Sequence, residues 1–396
     1  MRADFSSSWF RRLALWGAVL AFCVVILGAF VRLSHAGLGC PDWPVCYGHL
    51  AWPTADEQIA LANETFPQRP VEVEKAWKEQ VHRFLAAALG IIVFALALMA
   101  NWRTHSQRYT LIGASVAAAL GIFTYVAGWI PLASILSVLS VALPVYGMLA
   151  WRHANWRARY TAGLLALIIV QAMLGMWTVT LLVKPIIVTA HLLGGMATFV
   201  LLWLLWLRDR GAPKGNEDDR YRGLHVLSRV AIVAIVLQIF LGGWTSTNYA
   251  ALACPDFPTC QTRWVPPMDF GEGFTLWRGL GVDYEGGVLD NDARVAVHYT
   301  HRLGAILVLL MVGALITGIR RSTRNAENDS DMTLRLLGSA TGVFLIGQVL
   351  LGISVVKFGL PLWLAVAHNG GAALLLASVV TVSYALSPSR KTSSNR

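Results

Sequence analysis

Charge is what this chain has least of. Asp, Glu, Lys and Arg make up 14% of its 396 residues, against about 25% in ordinary soluble domains. Apolar residues reach 56%, and together these figures exclude a soluble globular domain. Cysteine is sparse, five in all, and none lies in the close Cys/His runs that build zinc sites. The net charge of +10 would suit a polyanion partner, but its distribution gives it another cause.

Ten apolar runs recur, at roughly 12–33, 81–101, 109–129, 132–150, 160–182, 186–207, 225–247, 295–319, 333–356 and 362–385. Each is long enough to cross about 30 Å of hydrocarbon. With Met1 inside, the outer loops hold 11 Lys/Arg and 14 Asp/Glu, and the inner side holds 21 and 8. Basic residues gather on the inner side of membrane proteins, so the basicity needs no nucleic acid. Both termini then lie inside. Leu13 to Val31, behind Arg11 and Arg12, has a second reading as a signal peptide or a lipoprotein signal ending at Cys40. The run is long for that, and its counterpart at 225–247 cannot be a signal.

Two stretches repeat. Gly28 to Cys46 and Gly242 to Cys260 each place Gly twelve residues before a Cys-Pro-Asp-aromatic-Pro-x-Cys loop. Gln171-x-x-Leu-Gly175 precedes His191 as Gln348-x-x-Leu-Gly352 precedes His368, with 20 residues from Gln to His both times. The chain is a tandem duplication of a unit of roughly 180 residues. Residues 1–210 form the amino-terminal half and 222–396 the carboxy-terminal half, joined by a charged Gly/Pro-rich inner link. His82 and His191 are 109 residues apart, while His301 and His368 are 67 apart. The excess of 42 matches the hairpin at 109–150, which has no His and few polar residues. The fold expected is an all-α polytopic membrane protein, with duplicated four-helix bundles (4+4) and this hairpin packed outside them.

Cys23 falls inside a span and reads as a buried small apolar residue. The other four cysteines form two Cys-x5-Cys loops on the outer side, where disulfides persist. Prolines within each loop favour a tight turn, so Cys40–Cys46 and Cys254–Cys260 are candidate bridges. Free thiols or a metal site shared by the loops are the alternatives. Trp264, Trp277 and Tyr284 in the second long outer loop read as interfacial aromatics.

Four of the ten histidines are informative. His82, His191, His301 and His368 each sit near the outer end of a span, beside small residues that leave room for a broad planar ligand. His49, His105, His153 and His225 lie in loops or near inner ends, and His35 is ambiguous. One histidine in a span is commonly a hydrogen-bonding residue. Four at matching depth in two matching pairs point to function. Two facing imidazoles can ligate one haem iron, which gives one haem per half. Zinc or copper would lack further ligands. Arg83 and Arg302, each following a histidine, are candidate partners for haem propionates. Glu79 lies one turn before His82, and the equivalent residue before His301 is His298. A carboxylate in one pocket alone suggests that the first half does chemistry and the second holds a cofactor. A hydrogen bond to a ligand histidine, or a plain interfacial charge, is the other reading of Glu79.

These residues resemble the heme A synthase family. The resemblance rests on Gly-Leu-Gly-Cys40-Pro-Asp-Trp-Pro-x-Cys46, Glu79-x-x-His82-Arg83, the His191 and His368 helices, and His298-x-x-His301-Arg302, and covers nearly the whole chain. The inserted hairpin departs from the family pattern. The resemblance implies an oxidoreductase that converts the C8 methyl of haem O to a formyl group, giving haem A for cytochrome oxidase. It implies His82 and His191 as ligands of the substrate haem, His301 and His368 as ligands of a haem b cofactor, and Glu79 as the catalytic carboxylate. Haem O synthase and an electron acceptor are the partners it implies, with membrane lipid around the chain and room for a homo-oligomer. The location implied is the bacterial plasma (inner) membrane. Two rivals remain open: a di-haem b-type electron-transfer cytochrome and a haem transporter.

Overall fold

The structure is a computed structural model describing residues 2–211, 221–324 and 328–388, with side chains from residue 8. Most of the expected inner link, 212–220, lies outside the described residues, as do Met1 and 389–396. Among the described residues there are twelve helices and no strand, and ten helices are long and apolar enough to cross a membrane. In hydrocarbon every backbone polar group must be satisfied within the segment, which the helix achieves.

The chain forms two compact units. Unit 1 is Met1–Trp206 with Arg278–Glu285, and unit 2 is Leu207–Trp277 with Gly286–Arg396. The four core helices of unit 1 are α1 (Arg2–Leu33), α3 (Val73–Asn101), α6 (Trp156–Thr180) and α7 (Pro185–Asp209). Helix α1 packs on α3, and α3 on α6. At Gly17 of α1 a Cβ would come within 3.1 Å of Ile92 and 3.5 Å of Leu202, so α1 nests against α3 and α7 together. Phe22 meets Phe199 at 5.4 Å, and the Tyr160 hydroxyl donates to the Leu201 carbonyl at 2.8 Å, closing α6 onto α7. Lipid supplies no hydrophobic drive between helices, so close packing at small residues carries such contacts.

Helices α4 (His105–Val126) and α5 (Ile130–Ala150) form the inserted hairpin. It leans on the core mainly through α5 against α6, and Phe123, Ile135 and Val138 stay exposed, as a lipid-facing surface requires. In unit 2, α8 (Arg222–Thr247), α10 (Asn291–Ser322), α11 (Asp329–Lys357) and α12 (Leu362–Ala385) close a ring of contacts: α8 on α10, α10 on α11, α11 on α12 and α12 on α8.

Three details depart from the sequence expectations. Helix α3 begins at Val73 and α10 at Asn291, before their apolar runs start, so Glu79 and His82 sit on formed helix. Two short helices, α2 (Asp56–Thr65) and α9 (Phe270–Gly273), interrupt the long outer loops. Cys23 is exposed rather than buried.

Candidate functional site

The four span histidines share one local design. Each imidazole lies on a glycine of the preceding core helix. A Cβ on Gly28 would stand 3.1 Å from His82, on Gly175 3.4 Å from His191, on Gly242 3.1 Å from His301, and on Gly352 3.0 Å from His368. At Gly28, Gly242 and Gly352 the fit is tight enough that a side chain would force the ring to shift.

In unit 1 the rings of His82 and His191 face each other with centroids 6.4 Å apart and planes at 90°. A metal between two imidazoles, with each nitrogen about 2.0–2.1 Å away, would set the ring centres on the order of 6 Å apart. The spacing would therefore suit one metal ion held by both imidazoles. Among the described residues no group of three or more His, Cys, Asp or Glu could hold a metal. A two-imidazole set is incomplete for zinc but complete for haem, whose porphyrin supplies the remaining ligands. In unit 2, His301 has His368 as its electrostatic neighbour. The buried Nδ1 atoms of His191 and His368 have no hydrogen-bond partner, so the donor set fits a group that the protein alone does not satisfy.

Above each first histidine sits a cysteine loop, closed by a disulfide: Cys40–Cys46 with Cα atoms 4.7 Å apart, and Cys254–Cys260 with 4.6 Å. The loop aspartate turns the chain after the second cysteine. Asp42 accepts from the Tyr47 and Gly48 amides at 2.6 Å each, and Asp256 from Gln261 and Thr262 at 2.6 and 3.0 Å. These bonds, with that from the Thr259 hydroxyl first, hold the Asp256 carboxyl below its usual range. Gly39 is needed for the loop to reach α3, since a Cβ there would lie 2.6 Å from the Lys75 carbonyl carbon. Burial, reinforced by Glu72, pushes the Tyr47 hydroxyl up to about 12. It remains a donor, 3.2 Å from the carbonyls of Arg69 and Pro70.

The two arginines hold these loops. Arg83 donates to the carbonyls of Asp42, Val45 and Cys40 at 2.8, 2.6 and 3.4 Å. Arg302 donates to the equivalent carbonyls of Asp256, Thr259 and Cys254 at 2.9, 2.8 and 2.8 Å. The sequence reading had these guanidinium groups meeting haem propionates. In this structure their terminal nitrogens donate to loop carbonyls and, in unit 1, also to Glu79.

Beneath the arginines the units diverge. Glu79 is buried, 5% exposed. Its carboxylate accepts from Arg83 at 2.5 Å and from the Cys40 amide at 2.9 Å. His298, at the same place in unit 2, is 3% exposed. One ring nitrogen lies 3.0 Å from the Ala250 carbonyl, and the other accepts from Arg302 Nε at 3.2 Å. This fits a neutral imidazole with its proton on Nδ1. Glu79 therefore does not reach for a ligand histidine, as one sequence reading had it. It faces the loop and the arginine.

Two features had no sequence signal that was read. Residues 278–285, from the long outer loop after α8, belong to unit 1. Lys184 is buried and donates to the carbonyls of Arg278 and Gly279 at 2.5 and 3.1 Å. Arg69 pairs with Asp283 at 2.7 Å and Glu285 at 2.5 Å. Tyr284 packs among Leu38, Val179 and Val183, so it is a core residue and not an interfacial aromatic, whereas Trp264 and Trp277 are exposed. The second feature is Gln238, whose amide lies 3.0 Å from a ring nitrogen of His301.

The architecture is thus that of a duplicated, multi-pass α-helical membrane protein with an imidazole pair in each unit. The model of the cytochrome oxidase assembly protein family matches residues 11–138 and 131–380. A heme A synthase of Shewanella oneidensis is 37% identical, over 96% of each chain. Heme A synthases of Caulobacter sp. (strain K31) and Caulobacter vibrioides are 27% and 26% identical, over 94% and 93% of this chain. The chain belongs to this family, that of the heme A synthases.

Proposed function

We propose that this protein is a heme A synthase that oxidises the C8 methyl of haem O to a formyl group. The observation that carries the proposal is the facing pair His82 and His191, 6.4 Å between ring centres, in the unit that also holds the buried carboxylate of Glu79. His82 and His191 are the proposed ligands of the substrate haem. His301 and His368 are the proposed ligands of a resident haem b, which when bound supplies a path for removing electrons.

Turning a methyl into a formyl group removes hydrogen and adds oxygen, so protons must be accepted near the carbon. Glu79 suits that work. Its contacts with Arg83 and the Cys40 amide keep it aimed, and a positioned carboxylate can take a proton or stabilise developing positive charge. Haem O synthase and an electron acceptor are the partners this function calls for. The proposed location is the bacterial inner membrane, with cytoplasmic termini and outward cysteine loops, as the charge distribution supports.

Glu79→Gln tests the catalytic assignment, since the amide keeps size and hydrogen bonding but cannot titrate. Haem binding should survive at both sites, and haem A content should fall on the order of 10²-fold. Near-normal haem A in cells carrying only this variant would refute the role of Glu79.

A further inference from the structure

Four helix pairs in the chain repeat one device, and one copy is broken. Gln238, Gln348 and Gln171 each lie four residues before the glycine that backs a span histidine, and each histidine is followed three residues later by a second glycine: Gly304, Gly371 and Gly194. The glutamine side chain fills the space above that second glycine. A Cβ there would stand 2.1 Å from Gln238 Oε1, 2.3 Å from Gln348 Oε1 and 1.8 Å from Gln171 Nε2. From that seat Gln238 Nε2 donates to the His301 carbonyl at 2.8 Å and lies 3.0 Å from Nδ1 of the same residue. Gln348 Nε2 donates to the His368 carbonyl at 3.0 Å and lies 3.4 Å from its ring. At Gln238 and Gln348 the amide thus grips backbone and imidazole together. Because it carries both a donor and an acceptor, it serves a ring nitrogen in either protonation state.

His82 bonds to the backbone carbonyl of Val24, as His191 and His368 bond to those of Gln171 and Gln348, but it has no glutamine side chain over it. The position four residues before Gly28 is Val24, and the position three after His82 is Leu85. Both halves of the device are missing together.

We infer that His82 is the labile ligand of the chain, the one whose release lets haem enter and leave the first unit, and that Gln171, Gln238 and Gln348 are positioning residues that hold the other three histidines. This rests on the reading that unit 1 turns over its haem while unit 2 keeps one. A site with two clipped ligands retains its haem. A site in which one ligand lacks the glutamine gives up its haem more readily. Partners that fix a metal-ligating histidine typically change metal affinity about 10–100-fold when removed, enough to separate a resident group from one that is exchanged.

The test uses the full chain in detergent, loaded with haem b at both sites, and follows haem transfer to excess apomyoglobin by absorbance. The wild type should release haem in two phases, the faster of which is absent from His82→Ala. Installing the clip, as Val24→Gln with Leu85→Gly, should slow the fast phase at least tenfold and leave the slow one unchanged. Gln238→Val should speed the slow phase by a similar factor, which keeps the test decisive if the installed variant does not fold. A fast phase that survives in His82→Ala, or a release rate indifferent to both changes, would overturn the inference. A chain that releases haem from His82 first yet makes no haem A in cells would instead sink the enzymatic reading and leave the lability standing.

Discussion

In unit 1 the helical turn before the first histidine carries a carboxylate, Glu79, and in unit 2 the same turn carries a neutral imidazole, His298. Both lie under an arginine, and both arginines grip the same three loop carbonyls. Arg302 does this with no anion in the place of Glu79. The carboxylate is therefore not what the loop clamp requires, and a buried charge without a structural need is a candidate for chemistry. The glutamine clip tells the same story from the other direction. Unit 2 has a glutamine at this place before both histidines and unit 1 before one, so the unit with the carboxylate is also the one for which we infer the labile ligand.

The comparison breaks first at the histidines. His301→Ala or His368→Ala should abolish tightly bound haem b, while His82→Ala or His191→Ala should keep it and lose haem A. Pyridine haemochrome spectra of purified variants read this directly, and equal loss of haem b in all four would end the division between the units.

The arginines come next. Arg83→Lys and Arg302→Lys each leave loop carbonyls unpaired, and a lost buried partner costs on the order of 1–3 kcal/mol. Thermal unfolding should show similar losses in the two. Only Arg83→Lys should also depress haem A formation, because it frees Glu79.

The disulfides should matter somewhat less. Opening a loop this short is expected to cost about 2 kcal/mol, read as a lower unfolding temperature for Cys40→Ser/Cys46→Ser and for Cys254→Ser/Cys260→Ser. The first should reduce activity more, since the Cys40 amide holds Glu79. The smallest effect belongs to Arg69→Ala, which breaks partly exposed ion pairs with Asp283 and Glu285. About 0.2–1 kcal/mol for each pair is usual, and faster hydrogen exchange confined to 278–285 is the expected sign.

Much of this was legible in the residues. Ten apolar runs gave ten spans because hydrocarbon leaves the backbone few options, and the Gly28 and Gly242 echoes announced the duplication. Helix starts were less legible. Val73 and Asn291 precede the apolar runs, and polar residues carry no lipid signal although they extend the helix. Helix α2 is short, exposes Leu61 among its polar residues and gave no periodic pattern. The Gln171 and Gln348 echoes were visible because Gln and His stand 20 residues apart in both. Gln238 escaped because a cysteine loop intervenes and sets it 63 residues from His301. The roles of Arg83 and Arg302 depended on carbonyls about 40 residues away, and backbone acceptors leave no trace in residue identity. The docking of 278–285 on Lys184 was invisible for the same reason.

The measurement that bears most directly on the two-unit account is the pigment content of the purified wild-type chain. Haems extracted under acid and separated by reversed-phase chromatography should comprise haem b together with haem O or haem A. The His82→Ala chain should yield haem b alone. Wild-type protein carrying haem b at both sites, with no haem O or haem A, would contradict the account and point to an electron-transfer cytochrome.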